Sequence, residues 1–345
     1  MVILRIKEEE NLSIGSSRLE PSFRIDLRSF SNKELDKFVN MNSVRDWSQL
    51  SWRHVGKPYE VKSFAKEKLE WENENNTELP AQKSWEMFNR SFHEWFIKDV
   101  PTEKDRAKDA FFQTVKKFRP LEMKAAIGDI IRINLWNYVH RIQDGIWDPR
   151  GKRALFEGLD LHRPRILFLG AAEGYEAMQL SAMYPDGEIV MVDYDPYCKT
   201  TRFGEFPESY PFLGANLSTG GDKVYYKSDF RIHYEIADIR KLSFGQEFDI
   251  VLSVGLLEHF PDHLKDEVIE WHRKFLKPNG YIIMTTPRSQ LRSKIYYEIM
   301  SDVMNHTYRE LMTIEQMGLY LYDNGLDIRR HGYIKVHNGI VAQIK

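Results

Sequence analysis

The chain of 345 residues carries 49 basic and 51 acidic side chains, and its formal net charge is −2. This balance gives no overall attraction to nucleic acid or to an anionic membrane, and no apolar run approaches the roughly 20 residues that a membrane-spanning helix needs. The single cysteine, Cys198, excludes a disulfide within the chain and suits a reducing compartment. Since the first ten residues also lack a signal-peptide pattern, we expect a cytoplasmic protein.

Residues 1 to about 150 are predicted to form a mainly helical accessory region. A short strand is predicted from Ile3 to Ile6, and a capping box at Ser31 begins a helix that runs to Val39. Three later segments carry apolar residues at helical spacing: Ala81 to Ile97, Thr102 to Phe118 and Met123 to Val139. We interpret residues 1–150 as a region that caps the substrate, and residues 151–345 as the main domain.

The stretch from Arg165 to Pro196 predicts a strand, a tight turn, a helix and a second strand. Ile166 to Leu169 lacks polar alternation, as expected of a buried parallel strand. The turn Gly170-Ala171-Ala172-Glu173-Gly174 follows, and a second apolar run ends at Asp193. In doubly wound folds such a unit holds a nucleoside, because the backbone approaches the ligand at the turn and the acid accepts hydrogen bonds from ribose hydroxyls.

The remainder of the chain continues to alternate between strands and helices. Further strands are predicted at Ile232 to Ala237, Phe248 to Val254 and Tyr281 to Thr285, with helices at Pro196 to Phe203, Leu256 to Phe275, Ser289 to Arg309 and Thr313 to Asp323. Leu326 to Val336 and Gly339 to Ile344 are separated by a short turn, so they must pair antiparallel. We therefore predict an α/β fold with a doubly wound, mostly parallel sheet that ends in an antiparallel hairpin.

One long connection, Gly204 to Arg231, does not fit this alternation. It exceeds the usual two to six residues of a helix-to-strand loop, so it is either a functional loop or a small subdomain. Aromatic residues, which make up 13% of the whole chain, are frequent in it. The high aromatic share has two interpretations, an aromatic-lined pocket and a large aromatic core.

Residues 151–345 resemble a class I S-adenosylmethionine-dependent methyltransferase. The resemblance is carried by the Gly170–Gly174 turn, by Asp193, by Asp238-Ile239 and by the run FDIVLSVGLLEHFPD with LKPNG after it. It implies S-adenosyl-L-methionine as cofactor. The residues it implies as cofactor contacts are Gly170, Ala171, Ala172, Gly174, Asp193, Tyr194, Asp238, Ile239 and Val254.

Two positions depart from the family pattern. Phe168 stands where the family usually has an acid that orients the turn and the amino end of the methionine moiety, and Ala172 replaces the middle glycine. Alanine still permits close approach of the backbone if its φ is negative. Two hypotheses follow, a methyltransferase with altered cofactor contacts and an inactive methyltransferase-like protein with a binding or regulatory role. A nicotinamide-dependent oxidoreductase is disfavoured because the turn lacks the G-x-G-x-x-G pattern.

His259 is the candidate catalytic residue. It follows the fourth strand at the edge where open α/β sheets bind ligands, and an oxygen or nitrogen acceptor with a proton to lose needs a general base. The alternative is a histidine that packs in the first turn of a helix. The neighbouring Glu258 either caps that helix or orients a substrate amine. His259, Asp262 and His263 have a spacing that could gather them in a turn, but a polar turn explains it and no metal site is predicted.

The acceptor is expected to be a small molecule or a short peptide, methylated on oxygen or nitrogen. Three segments are candidates for its pocket: the N-terminal helices, the loop Gly204 to Arg231 and the helix Ser289 to Arg309. The basic clusters of the sequence are too small to indicate a nucleic-acid partner, and the sequence carries no signal for an oligomeric state.

Overall fold

The computed structural model describes residues 39–96, 100–140, 155–334 and 336–345. The strand expected at Ile3 to Ile6 and the boundary expected near residue 150 lie outside these residues, as does the helix expected from Ser31, except for Val39. The boundaries of the two expected domains therefore stay predictions.

The described residues before 141 form five helices and two short strands. In chain order they are β1 (Val39–Met41), α1 (Trp52–Val55), β2 (Tyr59–Glu60), α2 (Ser63–Asn75), α3 (Ala81–Phe96), α4 (Val100–Lys116) and α5 (Pro120–His140). The helical spacing read from the sequence located α3, α4 and α5 to within three residues. Of these three helices, α3 has the most clearly separated apolar face, and it buries Phe92 and Phe96.

The later residues alternate as the sequence predicts. The elements are β3 (Arg165–Leu169), α6 (Tyr175–Met183), β4 (Glu188–Asp193), a π-helical turn (Cys198–Phe203), β5 (Phe212–Ala215), β6 (Asp222–Tyr225), β7 (Ile232–Ile236), β8 (Phe248–Val254), α7 (Lys265–Lys274), β9 (Leu276–Pro287), α8 (Leu291–Ile299), α9 (Ser301–Met304), β10 (Glu310–Leu311), α10 (Ile314–Asp323), β11 (Leu326–Ile334) and β12 (His337–Ile344).

Within the described residues, eight strands form the main sheet in the order β1-β11-β12-β9-β8-β3-β4-β7. The five strands from β7 to β9 are parallel, and β9, β12, β11 and β1 are joined antiparallel. The predicted fold class, a mostly parallel doubly wound sheet ending in a hairpin, is confirmed. Side chains of β3 are almost fully buried on both faces, as expected where helices cover a parallel sheet on both sides.

Two predicted helices are wrong in their bounds. Leu256 to Phe275 is not one helix: 3-10 turns occupy Leu257–His259 and Asp262–Leu264, and α7 begins only at Lys265. Pro261, between the turns, has no N–H to donate. The segment predicted as one helix from Ser289 to Arg309 is divided into α8 and α9 and ends at Met304. The helix predicted from Pro196 to Phe203 has those bounds, and it is π-helical from Cys198 onward.

The long connection from Gly204 to Arg231 contains an antiparallel hairpin of β5 and β6. The hairpin packs against α6, where the Gln179 side chain donates to the Leu213 carbonyl at 3.1 Å. Gly214 allows this contact, since a Cβ there would lie 1.8 Å from the carbonyl oxygen of Ala182. The connection is thus a small structural addition to the sheet domain.

Residues 39–60 join the N-terminal region to the sheet. β1 pairs with β11, β2 pairs with β10, and Trp47 packs on α10. The sequence did not predict β1, because three residues are too short to show alternation. In the part of the chain that the structure describes, no helix has the length and apolar character required to cross a membrane.

Gly318 in α10 packs directly against the Trp47 ring. A Cβ at Gly318 would lie 2.0 Å from the Trp47 ring, so Gly318→Ala is expected to lower the free energy of unfolding by about 1–3 kcal/mol. The matched control is Gly128→Ala in α5, where nothing lies within 4 Å of the added Cβ. That variant is expected to gain up to about 1 kcal/mol from helix propensity. Chemical denaturation measures the free energy of unfolding of both variants, and equal changes in the two would contradict the packing of Gly318 against Trp47.

Candidate active site

A cavity of about 450 Å³ lies at the carboxyl ends of β3, β4, β7 and β8, and α3 covers it. Its volume falls within the range of small-molecule sites. The predicted site residues that line it are Gly170, Ala171, Ala172, Asp193, Tyr194, Asp238, Ile239, Val254 and His259. Gly174 does not line the cavity. It starts α6 with a φ of 75°, and a Cβ there would lie 2.4 Å from the Met191 side chain, so its role is structural.

The turn after β3 is held by hydrogen bonds to its own neighbours. The N–H groups of Gly170 and Ala171 both donate to the Val192 carbonyl at 3.0 Å. Ala172 has a φ of 48°, so the condition of a negative φ for this alanine is not met. Its N–H donates to Asp193 Oδ2 at 2.9 Å, and its carbonyl accepts from the Tyr234 hydroxyl at 2.7 Å. These bonds offset a conformation that costs a non-glycine residue about 1–2 kcal/mol.

Asp193 therefore has two neighbours that the sequence did not indicate. Its carboxylate accepts from the Ala172 N–H and, at 3.1 Å, from the Asp195 N–H. Burial raises the pKa of Asp193, while both backbone hydrogen bonds act against that shift. The carboxylate consequently fixes the turn at the same time as it faces the cavity.

Asp238 and Ile239 lie at the edge of the cavity after β7. The Asp238 side chain accepts from the Arg240 N–H at 3.0 Å and from its guanidinium at 2.7 Å. These hydrogen bonds hold the pKa of Asp238 below its usual value. Tyr194, the next contact expected from the resemblance, is 38% exposed, which leaves its ring accessible from outside. The expected cofactor contacts of these residues stay predictions.

A polar network that the sequence did not predict joins α3 to the turn after β3. Arg202, from the π-helical turn, is buried and forms an ion pair with Glu173. It also donates to Asn89 Oδ1 at 2.7 Å, and Asn89 Nδ2 donates to Asp195 Oδ2 at 3.1 Å. Asn89, Glu173 and Arg202 all line the cavity. No local pattern could reveal them, because Asn89 is 113 residues away from Arg202 in the sequence.

His259 lies on the cavity wall against the edge of the Trp85 ring, with ring centroids 4.7 Å apart. Its Nδ1 is 2.7 Å from the Tyr308 carbonyl oxygen. Because a carbonyl oxygen can only accept, Nδ1 must carry the proton and Nε2 retains a lone pair. Burial, together with the positive charge of Arg309, holds the pKa of His259 well below its usual value. The imidazole is therefore neutral, with an unprotonated Nε2, and the lowered pKa makes it a weaker base than a free histidine.

Glu258 is fully buried in the cavity wall. It belongs to a 3-10 turn and does not cap a helix, so the expected capping role is wrong. Its Oε1 is 3.5 Å from Arg309 Nη1, and Oε2 has no hydrogen-bond partner among the described residues. Burial raises the pKa of Glu258 to about 7, although the positive charge of Arg309 opposes the shift. The carboxyl can thus either donate or accept near neutral pH.

Much of the apolar wall is aromatic. The aromatic lining residues are Trp85, Phe88 and Phe92 of α3, Phe168 of β3, and Phe260, Trp271 and Tyr297. Of the three segments expected to build the acceptor pocket, α3 and the segment from 289 to 309 contribute lining residues, whereas the connection from 204 to 231 contributes none. The expectation for that connection is wrong because its hairpin packs on α6.

The histidines near residue 260 do not converge. Asp262 accepts from the Tyr320 hydroxyl at 2.7 Å, while His259 bonds the Tyr308 carbonyl. Across the ranges 39–96, 100–140, 155–334 and 336–345, no three His, Cys, Asp or Glu side chains are grouped as metal ligands would be.

Comparison with known proteins assigns the family. A family model described as a methyltransferase domain matches residues 138–331, which is more than half of the chain. The chain therefore belongs to the methyltransferase domain family, and its cofactor is S-adenosylmethionine. The resemblance to class I methyltransferases read from the sequence is confirmed. No curated protein matches the sequence.

Solved structures with detectable similarity are distant. A possible exported protein from Bordetella parapertussis is 16% identical with a TM-score of 0.41, covering 57% of this chain and 65% of that one. An O-methyltransferase family protein from Burkholderia thailandensis is 15% identical with a TM-score of 0.40, covering 68% and 63%. Human N-acetylserotonin methyltransferase in complex with SAM is 14% identical with a TM-score of 0.44, covering 74% and 70%. The chain spans slightly less than two thirds of the first two structures.

The charges around the cavity fit this cofactor. Among the described lining residues, six carry carboxyl groups and three carry guanidinium groups. A sulfonium with a free amino group is cationic, and an excess of acidic groups attracts it.

Proposed function

We propose that this protein transfers the methyl group of S-adenosylmethionine to an oxygen or nitrogen atom of a small molecule or short peptide. The observation that carries the proposal is one covered cavity lined both by the turn after β3 and by His259. Such a cavity holds the cofactor and the acceptor together and excludes water, which is what methyl transfer needs from a protein.

The cofactor residues expected from the resemblance fit such a binding mode. Gly170 and Ala171 present backbone at the floor of the cavity, and Asp193 supplies the acid for the ribose hydroxyls. Glu173 compensates for Phe168: its buried carboxylate offers a contact for the amino end of the methionine moiety, and Arg202 offers one for the carboxylate.

The bound cofactor supplies an activated methyl group, so the residues of this chain have to position the acceptor and remove its proton. His259 Nε2 would take that proton, since Nδ1 is committed to the Tyr308 carbonyl. The Trp85 ring, packed on His259, restricts the imidazole orientation. α3 closes the cavity over both groups and keeps water from competing.

Calorimetry with S-adenosylmethionine and S-adenosylhomocysteine tests cofactor binding. An assay for loss of the methyl group from S-adenosylmethionine, in the presence of a panel of hydroxylated and amino compounds, then tests methyl transfer. Binding of both adenosyl ligands with turnover for some acceptors is the expected result. Absence of binding at high micromolar concentration would refute the proposal. Tight binding without turnover on any acceptor would favour the second candidate, an inactive binding or regulatory protein, for which Phe168 in place of the acid is the motivating observation.

The hydrogen bonds that Asn89 of α3 makes with Arg202 and Asp195 lead to a separate prediction. Asn89→Ala removes the acceptor for Arg202 and the donor to Asp195. Two buried hydrogen bonds, each worth about 0.5–1.5 kcal/mol, are lost; because part of this cost falls on the free protein too, the affinity for S-adenosylhomocysteine is expected to fall about three- to tenfold. Faster dissociation should account for most of the loss. Gln82→Ala, at an exposed position of the same helix, is the matched control. Stopped-flow dissociation rates that are equal in both variants would show that α3 does not retain the ligand.

A further inference from the structure

A second polar site lies in the cavity wall, formed by Glu258 and Arg309. Both side chains are buried and both line the cavity. Arg309 follows α9 and reaches the wall beside the 3-10 turn that carries Glu258. Neither residue is needed for the cofactor contacts or the proton transfer assigned above.

The pair is poorly satisfied by the protein itself. Glu258 Oε1 and Arg309 Nη1 are 3.5 Å apart, at the limit of a hydrogen bond. The other Arg309 contacts, to the Tyr297 hydroxyl and the Met304 carbonyl, are both 3.4 Å. Within the described part of the chain, Glu258 Oε2 and Arg309 Nε have no hydrogen-bond partner. Buried charges with incomplete hydrogen bonding are costly, and a ligand that completes the bonds removes that cost.

The surroundings of the pair are aromatic. The Arg309 guanidinium carbon lies 4.8 Å from the centroid of the Tyr297 ring and 5.6 Å from that of Phe88. Phe88 and Trp85 also contact His259. A flat ring packed on this wall would therefore have Glu258 and Arg309 on one side and the proton-accepting histidine nearby.

From this geometry we propose that Glu258 and Arg309 form an acceptor subsite for an aromatic or heteroaromatic molecule bearing a neutral donor–acceptor group, such as a carboxamide or lactam. The N–H of that group donates to Glu258, and its carbonyl oxygen accepts from Arg309. At pH 7.5, above the pKa of about 7 of Glu258, a carboxylate would meet the Glu258 charge and an amine would meet the Arg309 charge, so both are disfavoured. The role of the bound molecule as methyl acceptor rests on the proposed methyl transfer, whereas its recognition by Glu258 and Arg309 does not.

Four single-ring probes test this subsite: benzamide, benzoate, benzylamine and acetophenone. Their binding is measured by ligand-observed NMR titration at pH 7.5, with and without saturating S-adenosylhomocysteine. Benzamide is expected to bind at least about fivefold more tightly than the other three, because only it satisfies both groups. Equal affinities, or no binding of benzamide at millimolar concentration, would overturn the proposal.

Charge variants test which residues set the preference. Glu258→Gln leaves the Arg309 charge uncompensated, so benzoate is expected to gain at least about tenfold relative to benzylamine. Arg309→Met is expected to shift the ratio in the opposite direction. Glu267→Gln, which alters an exposed residue at the same cavity, is the matched control and should leave the ratio unchanged.

The isosteric Glu258→Gln variant keeps the test decisive even if Arg309→Met does not fold. An unchanged ratio of benzoate to benzylamine in folded Glu258→Gln would overturn the subsite. If the wild-type protein does not bind S-adenosylhomocysteine but still prefers benzamide, the proposed methyl transfer is refuted and the proposed subsite is not.

Discussion

Replacing His259 with alanine is expected to lower the turnover number at least about a hundredfold, the usual contribution of a general base. The cofactor affinity should stay within about twofold of the wild type, because the imidazole bonds the Tyr308 carbonyl and packs on Trp85, away from the turn after β3. Steady-state kinetics with an identified acceptor measures the first quantity, and calorimetry measures the second.

His272 provides the matched control for this variant. Its Nδ1 also donates to a backbone carbonyl, that of Val268, at 2.8 Å, and burial lowers its pKa to about 4. His272 lies in α7 and does not line the cavity. His272→Ala should therefore cost stability without changing the turnover number. If His259→Ala turns over at the wild-type rate, His259 has only a packing role.

Asp193→Ala is expected to weaken S-adenosylhomocysteine binding at least tenfold, about 1.4 kcal/mol. Two losses add up in this variant. The ribose hydroxyls lose their acceptor, and the N–H groups of Ala172 and Asp195 lose the carboxylate that fixes the turn. Calorimetry on the folded variant gives the affinity.

Asp193→Asn separates the two losses, because its side-chain oxygen can still accept from one of the N–H groups. If the asparagine variant recovers most of the affinity, the carboxylate acts mainly by holding the turn. An unchanged affinity in folded Asp193→Ala would show that the ribose binds elsewhere.

The strands of the sheet could be predicted from the sequence because their signal is local. Ile166 to Leu169 and Phe248 to Val254 are uninterrupted apolar runs, and each coincides with a strand to within one residue. The positions of the site residues that follow parallel strands could be predicted as well, since the carboxyl ends of such strands meet at one edge of the sheet. Asp193 and His259 both line the cavity there.

The remainder of the site depends on contacts between distant segments. Nothing near Asn89 indicates that α3 would meet Arg202, and nothing near Arg309 indicates that it would lie beside Glu258. Glu258 was misjudged because its segment has helix-forming residues, whereas the chain forms 3-10 turns there until α7. The positive φ of Ala172 could not be predicted, because it is stabilised by Asp193 and Tyr234, which only the tertiary structure brings together.

The attachment of residues 39–60 has a consequence for synthesis on the ribosome. In the described structure, the partners of β1, β2 and Trp47 lie in β11, β10 and α10, all beyond residue 309. At about 5–20 residues per second, the segment around Trp47 leaves the ribosome well before any of these partners has been translated. This early-translated segment is thus among the last to dock, and its apolar side chains are open to chaperones and proteases during much of translation.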